Sequence, residues 1–378
     1  MSLLSRRGPD AQVDLAEVHA ALAAVQDPEL HLPLVDAGML GDVEVNRAGA
    51  VTVTVRLTTP SCPMKETLAT DVTAAVIKVD GVARVEVAFA AMSESERMRL
   101  ASQLRGSRPD GGHTFGPGSS TQVYAVASGK GGVGKSTITA NLAVALAQQG
   151  KRVGVLDADV WGYSIPQLFG VRRAPVALKG LMLPVEAHGV SLMSVGFFVQ
   201  DAEPVVWRGP MLHKAIEQFL TDVHWGDLDV LLIDLPPGTG DVTLSLLELV
   251  PDAALVAVTT PQPAAQTVAE RVGRMARNAR MPVAGVVENM SSLVCGSCGE
   301  STALFGSGGG ARLAEAISAP LLGQVPLDIA LREAGDAGVP ALVATPQAAS
   351  AAAIRVVASS LPLVRRSLVG RSLPLSVV

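Results

Sequence analysis

The stretch "VYAVASGKGGVGKSTITANLAVALAQQ", Val123 to Gln149, decides the fold. It opens as a short apolar, β-branched run of strand type and closes, from Lys135, in apolar residues at helical spacing. Between the two, "GKGGVGKS" fits G-x-x-x-x-G-K-[ST] from Gly129 to Ser136. Glycines there let successive backbone N–H groups turn inward around phosphate oxygens, at a helix N-terminus whose dipole favours negative charge. Lys135 is placed to reach the β- and γ-phosphates, and the Ser136 hydroxyl to take a Mg²⁺ position. Gly129, Lys130, Gly131, Gly132, Val133, Gly134, Lys135, Ser136 and Thr137 are therefore the expected nucleotide-binding loop. The plain alternative, a Gly-rich turn that happens to carry a lysine, does not account for the strand before it and the helix behind it.

The same alternation continues downstream. "RVGVLDAD", "VSLMSVG", "LDVLLIDLP", "AALVAVTT" and "PVAGVVENM" are short apolar runs separated by helical stretches such as "AAQTVAERVGRMARNA". Continuous apolar strands alternating with helices predict an α/β fold, a largely parallel sheet covered by helices on both faces. Upstream, "VDLAEVHAALAAV" and "MKETLATDVTAAVIKV" have helical spacing, while "VTVTVRLTT" and "VARVEVAFA" read as strands, which predicts a small α+β domain over residues 1–92. Residues 93–120 mix charge, Gly, Ser and Pro and read as a flexible linker, leaving 121–378 for the larger domain.

Composition narrows the function classes. The chain of 378 residues is 48% hydrophobic but only 3% aromatic, so its core is built from Ala, Val, Leu and Ile. Net charge is −5, and residues 1–100 carry the whole deficit, with 9 Lys and Arg against 14 Asp and Glu. A chain without a basic excess lacks the footprint of bulk nucleic-acid binding. Three cysteines make no disulfide framework, and the first residues hold no apolar leader, so a reduced, cytoplasmic protein is expected. The late apolar stretch from Ala341 to Val364 is broken by Pro346, Gln347, Arg355 and Pro362 and reads as a packed helix, with no membrane partner expected.

Acidic residues at strand ends complete the phosphate chemistry. Asp234 closes "VLLID" where a carboxylate can hold Mg²⁺ through water, and "LPPGTGD" after it is a turn able to move with the γ-phosphate. Asp159 is the expected positioner of the attacking water and Asp157 a structural neighbour. The chain has no N-K-x-D guanine reader, whereas the Asn289 amide can donate and accept against an adenine edge, so ATP is expected over GTP.

Lys130, inside the loop, is a second lysine that an ordinary phosphate loop does not need. "KGGVGKST" resembles the deviant Walker A form of the MinD/ParA class, in which the early lysine reaches the nucleotide of a facing subunit. That resemblance implies an ATP-dependent homodimer, with Lys130, Lys135 and Asp159 in catalytic roles. In such a dimer "VCGSCGE" would present Cys295 and Cys298 twice, giving four thiolates around one shared site. Four thiolates suit zinc or a [4Fe–4S] cluster alike, and an internal redox pair is a further reading of the spacing.

The order "SGKGGVGKST", "LDADVWGYSIP", "VVWRGPM", "LLIDLPPGTGD", Pro261–Gln262, "VVENMS" and "CGSC" resembles the Mrp/ApbC family of P-loop ATPases over most of residues 122–340. "DPEL" at Asp27 and "TTPSCPMKETL" around Cys62 resemble the MIP18-like (DUF59) domain. The resemblance implies a [4Fe–4S] cluster bridging the dimer at Cys295 and Cys298, its delivery to apo iron–sulfur proteins, an assembly scaffold as partner, and slow, dimer-dependent ATP hydrolysis. Cys62 is either a transient ligand or a buried small residue. Two other functions stay open: a positioning or partitioning ATPase, for which the Arg-containing tail after Pro362 would be the membrane-seeking segment, and an ATPase dimer bridged by structural zinc.

Overall fold

The structure, a computed structural model, describes residues 13–59, 62, 64–106, 115, 119–198, 209–238, 246, 249–278, 281–295 and 298–362. The chain divides into two compact units, residues 1–111 with Val176–Leu183, and the remainder.

The first unit runs α1 (Leu15–Ala23), β1 (Leu40–Val45), β2 (Ala50–Leu57), α2 (Lys65–Val76), β3 (Arg84–Ala91) and α3 (Glu94–Gly106). The three strands form one sheet in the order β1-β2-β3, antiparallel then parallel. Val51, Val53, Val55 and Leu57 alternate inward along β2, and Leu68, Val72 and Val76 repeat every fourth residue on α2, so period two meets period four in one core. Cys62 is buried in that core.

The linker expected over 93–120 is in part a helix. Ser93 and Glu96 form a capping box: Ser93 N donates to Glu96 Oε2 at 2.7 Å and Glu96 N to Ser93 Oγ at 3.2 Å. Behind it Leu100, Ala101 and Leu104 bury one face of α3. Residues 107–114 and 116–118 of that expected linker lie outside the described residues.

The second unit opens with β4 (Gln122–Ser128), α4 (Lys135–Gln148), β5 (Val153–Asp157) and α5 (Ile165–Leu168). The chain then contributes the hairpin β6 (Val176–Leu178) and β7 (Leu181–Leu183) to the first unit. Leu178, Leu181 and Leu183 are buried in that unit's core, Lys179 pairs with Glu94, and Arg105 donates to the Lys179 carbonyl at 2.6 Å. Lys179 and Gly180 both have positive φ, 49° and 79°, the two-residue turn that suits strand twist. A contiguous 121–378 domain is thus interrupted by eight residues of the other unit.

The second unit resumes with β8 (Val185–Ala187), β9 (Val190–Ser194), α6 (Gly209–Thr221), β10 (Val230–Asp234), β11 (Ala254–Thr259) and α7 (Pro263–Asn278). It ends with β12 (Val283–Val294), β13 (Ser301–Thr302), α8 (Gly309–Ala316), β14 (Leu321–Leu327), α9 (Ile329–Asp336), α10 (Ala341–Ala344) and α11 (Ala349–Ser360). Nine strands make one sheet in the order β13-β12-β11-β4-β10-β5-β9-β8, with β14 beside β12. Among the described residues of this sheet, only β8 and β13 pair antiparallel. Every residue of β5, β10 and β11 is buried without alternation, because helices cover both faces. Tyr124 of β4, wholly buried, donates its phenol to the Pro362 carbonyl at 2.8 Å.

Candidate functional site

Register sets the acids of the site. Parallel pairing puts Asp234 opposite Asp157 on one side and Val126 on the other, so β4, β10 and β5 end together at the edge where α4 begins. This is the carboxyl edge where open α/β sheets bind ligands. Gly132 and Gly134 both have φ of 81°, a left-handed backbone that glycine adopts without steric penalty, and Gly134 caps α4.

Asp234 is fully buried and held from three sides. Lys135 Nζ lies 2.6 Å from its Oδ2, Ser136 Oγ donates to the same oxygen at 2.5 Å, and Thr139 Oγ1 donates to Oδ1 at 2.8 Å. Lys135 Nζ is also 3.9 Å from Asp159 Oδ2. Lysine, hydroxyl and carboxylate therefore converge on one point at the N-terminus of α4. Thr139 is absent from the sequence-derived set, although its place three residues after Ser136 on the same helix face is the signal that finds it.

Asp157 is a hub. Its carboxylate accepts from Asp159 N, Ser164 N and Ile165 N, each at 3.2 Å, and from Ser194 Oγ at 3.1 Å. Burial, and then the neighbouring Asp234, push its pKa up to about 7. Asp159 accepts from Gly162 N at 3.0 Å and is also raised by burial, against the pull of Lys135. Lys130 is exposed on the loop, its carbonyl accepting from Ser128 Oγ at 3.0 Å.

Asn289, at the end of the buried half of β12, donates Nδ2 to the Val133 carbonyl at 2.9 Å. That bond holds the amide in place and leaves its oxygen, an acceptor, outside this contact. Asn289 also borders a cavity of about 450 Å³ lined by Gly134, Thr137, Met290, Leu327 and Leu331 among others. Asp328 at its wall is engaged, accepting from Ala330 N at 2.9 Å and from Ser350 Oγ at 2.7 Å.

β12 runs four residues beyond the expected end at Met290 and folds back on β13. Cys295 and Cys298 are exposed at the tip, where Cys295 N donates to the Glu300 carbonyl and Gly299 N to the Cys295 carbonyl, both at 2.9 Å. Among the described residues no group of three or more His, Cys, Asp or Glu side chains is placed to hold a metal ion. The hinge after Asp234 beyond Gly238, and the tail after Pro362, lie outside the described residues.

Glycine loop, strand-end acids and parallel sheet define a P-loop NTPase. Residues 119–362 match the ParA family, described as NUBPL iron-transfer P-loop NTPase, and residues 15–87 match FeS_assembly_P, described as iron-sulfur cluster assembly protein. A Mycobacterium tuberculosis protein named iron-sulfur cluster carrier protein is 48% identical over 367 residues, covering 95% of this chain and 96% of that one. One of the same name from Deinococcus radiodurans is 46% identical over 343 residues, covering 90% and 93%. A solved nucleotide-binding protein from Archaeoglobus fulgidus, in complex with ADP, is 41% identical with a TM-score of 0.52, covering 57% of this chain and 86% of that one. The chain belongs to the iron–sulfur cluster carrier family of P-loop NTPases.

Proposed function

We propose that this chain hydrolyses ATP and carries a [4Fe–4S] cluster between two copies of itself, handing it to apo iron–sulfur proteins. The observation that carries this reading is the exposed hairpin tip: it offers two thiols, and a four-iron cluster takes four. A two-fold axis beside the tip supplies the other pair from a second copy. Exposed thiols suit a reducing cytoplasm, and among the described residues no helix is long and apolar enough to cross a membrane.

The nucleotide chemistry follows from the same residues. The loop amides bind the phosphates, Lys135 turns from Asp234 toward the β- and γ-oxygens, and Asp159 orients the attacking water. Ser136 Oγ and Asp234 form an all-oxygen donor set that fits Mg²⁺, directly and through water; the ion would neutralise phosphate charge. The Asn289 oxygen accepts from the adenine amino group, and the sequence carries no N-K-x-D guanine reader, which favours ATP. Lys130, exposed on the loop, is the group able to reach a facing copy's nucleotide. A site completed only on dimerisation turns over slowly.

Native mass spectrometry of protein isolated without oxygen tests the proposal. A dimer with one four-iron, four-sulfide mass is expected. A dimer with one zinc would make the metal structural, and a metal-free monomer would end the carrier reading.

A further inference from the structure

β12 changes character at one residue. From Ala284 to Asn289 it is buried, and β11 and β14 flank it on its two sides. Glu288 Oε2 accepts from Gln324 Nε2 at 2.9 Å, Asn289 is tied to Val133, and a Cβ at Gly310 would lie 2.6 Å from Glu288 Cβ. This half of the strand is held on both sides. From Met290 to Leu293 the strand is half-buried and Val294 is exposed; Leu293 and Val294 pair with the two residues of β13, and Leu293 also faces Leu327 of β14.

Met290 joins the halves with φ of 56°, in the left-handed region that an unbranched apolar residue rarely enters. The pairing shows why. Asn289 faces Val325 and Leu293 faces Leu327, so β12 spends four residues where β14 spends two. The backbone turn at Met290 takes up that excess. Its side chain meanwhile lines the cavity beside Asn289 and Leu327, and Cys295 follows five residues later, an extended reach of about 17 Å.

We infer that Met290 is a positioning residue that couples occupancy of the base cavity to the pose of the Cys295–Cys298 hairpin in the same subunit. The inference rests on the proposed nucleotide site and specifies how that site is regulated. A base filling the cavity touches Met290 directly. The inner half of β12 being fixed, displacement of Met290 passes outward along the strand to the thiols. Coupling is reciprocal, so whatever holds the cysteines changes nucleotide affinity by the same factor.

The test is the alkylation rate of Cys295 and Cys298 by iodoacetamide in the full chain, with and without saturating ADP. Peptide mapping separates them from buried Cys62, and an ADP titration of each variant establishes saturation. In the parent chain ADP is expected to change the rate about fivefold or more, the lower range of measured couplings. Met290→Leu keeps the bulk and the constrained backbone and should keep the response. Met290→Gly and Met290→Asn, which both accept a left-handed backbone, should bind ADP yet lose most of the response. Equal rates in parent chain with ADP bound, or a full response in both Met290→Gly and Met290→Asn, would overturn the coupling and leave the nucleotide site standing. No ADP binding by the parent chain would overturn the nucleotide reading and the coupling together.

Discussion

At the residue scale the site is a balance of buried charge. Asp157 and Asp234 sit side by side in register, with Lys135 the cation beside Asp234. Lys135→Ala would leave Asp234 without its counterion; a chemical denaturation curve should show a loss of about 3–5 kcal/mol, and nucleotide binding should disappear. Asp157 gives a pH signature. Its folded pKa of about 7 lies above the ordinary 3.8, so the native state binds the extra proton between those values and stability falls as pH rises through that window. Thermal melts from pH 4 to 8 should show that decline flattening above pH 7, and Asp157→Asn should remove its slope. Asp157 and Asp159 are both legible as strand-end acids. That Asp157 gathers Ser164, Ile165 and Ser194 is not, because the first two contacts need the chain to turn back within eight residues and the third comes from a strand 37 residues on.

At the element scale the legible parts are those with local causes. The strand, glycine loop and helix of Val123 to Gln149 fold as read because loop chemistry and apolar period agree over one short stretch. α3 is missed because its charged surface masks the period, although the Ser93 and Glu96 capping box marks its start. The hairpin Val176–Leu183 is missed for a different reason: "LKGL" announces a turn, but nothing local says which core takes its leucines. Leu181→Ala should destabilise the first unit by about 2–5 kcal/mol, read as faster hydrogen exchange of the β2 amides while β10 amides keep their protection.

At the scale of the whole molecule, the glycine loop after β4 and the Cys295–Cys298 tip after β12, the proposed nucleotide and cluster sites, lie at distinct positions on one sheet. Cys295→Ser with Cys298→Ser should remove all bound iron from anaerobically purified protein while ADP affinity, measured by calorimetry, stays within about twofold of that of the metal-free parent chain, because neither thiol lines the cavity. Retained iron would place the cluster elsewhere. The family and the order of its motifs are readable from end to end, since glycines, acids and cysteines are set by chemistry at fixed spacing. The route by which the chain visits its two units is not, since it depends on which apolar faces meet.

That route bears on how such a chain is recombined. The first unit owns two separate tracts of sequence, and the second, Val176–Leu183, is inherited with the NTPase. A chimera that exchanges residues 1–111 alone joins a foreign core to a native hairpin, so Leu178, Leu181 and Leu183 must find matching space in a partner they were not selected with. Grafts that carry both tracts together should fold more stably than single-cut grafts, which makes the hairpin a constraint on where the two units can be parted.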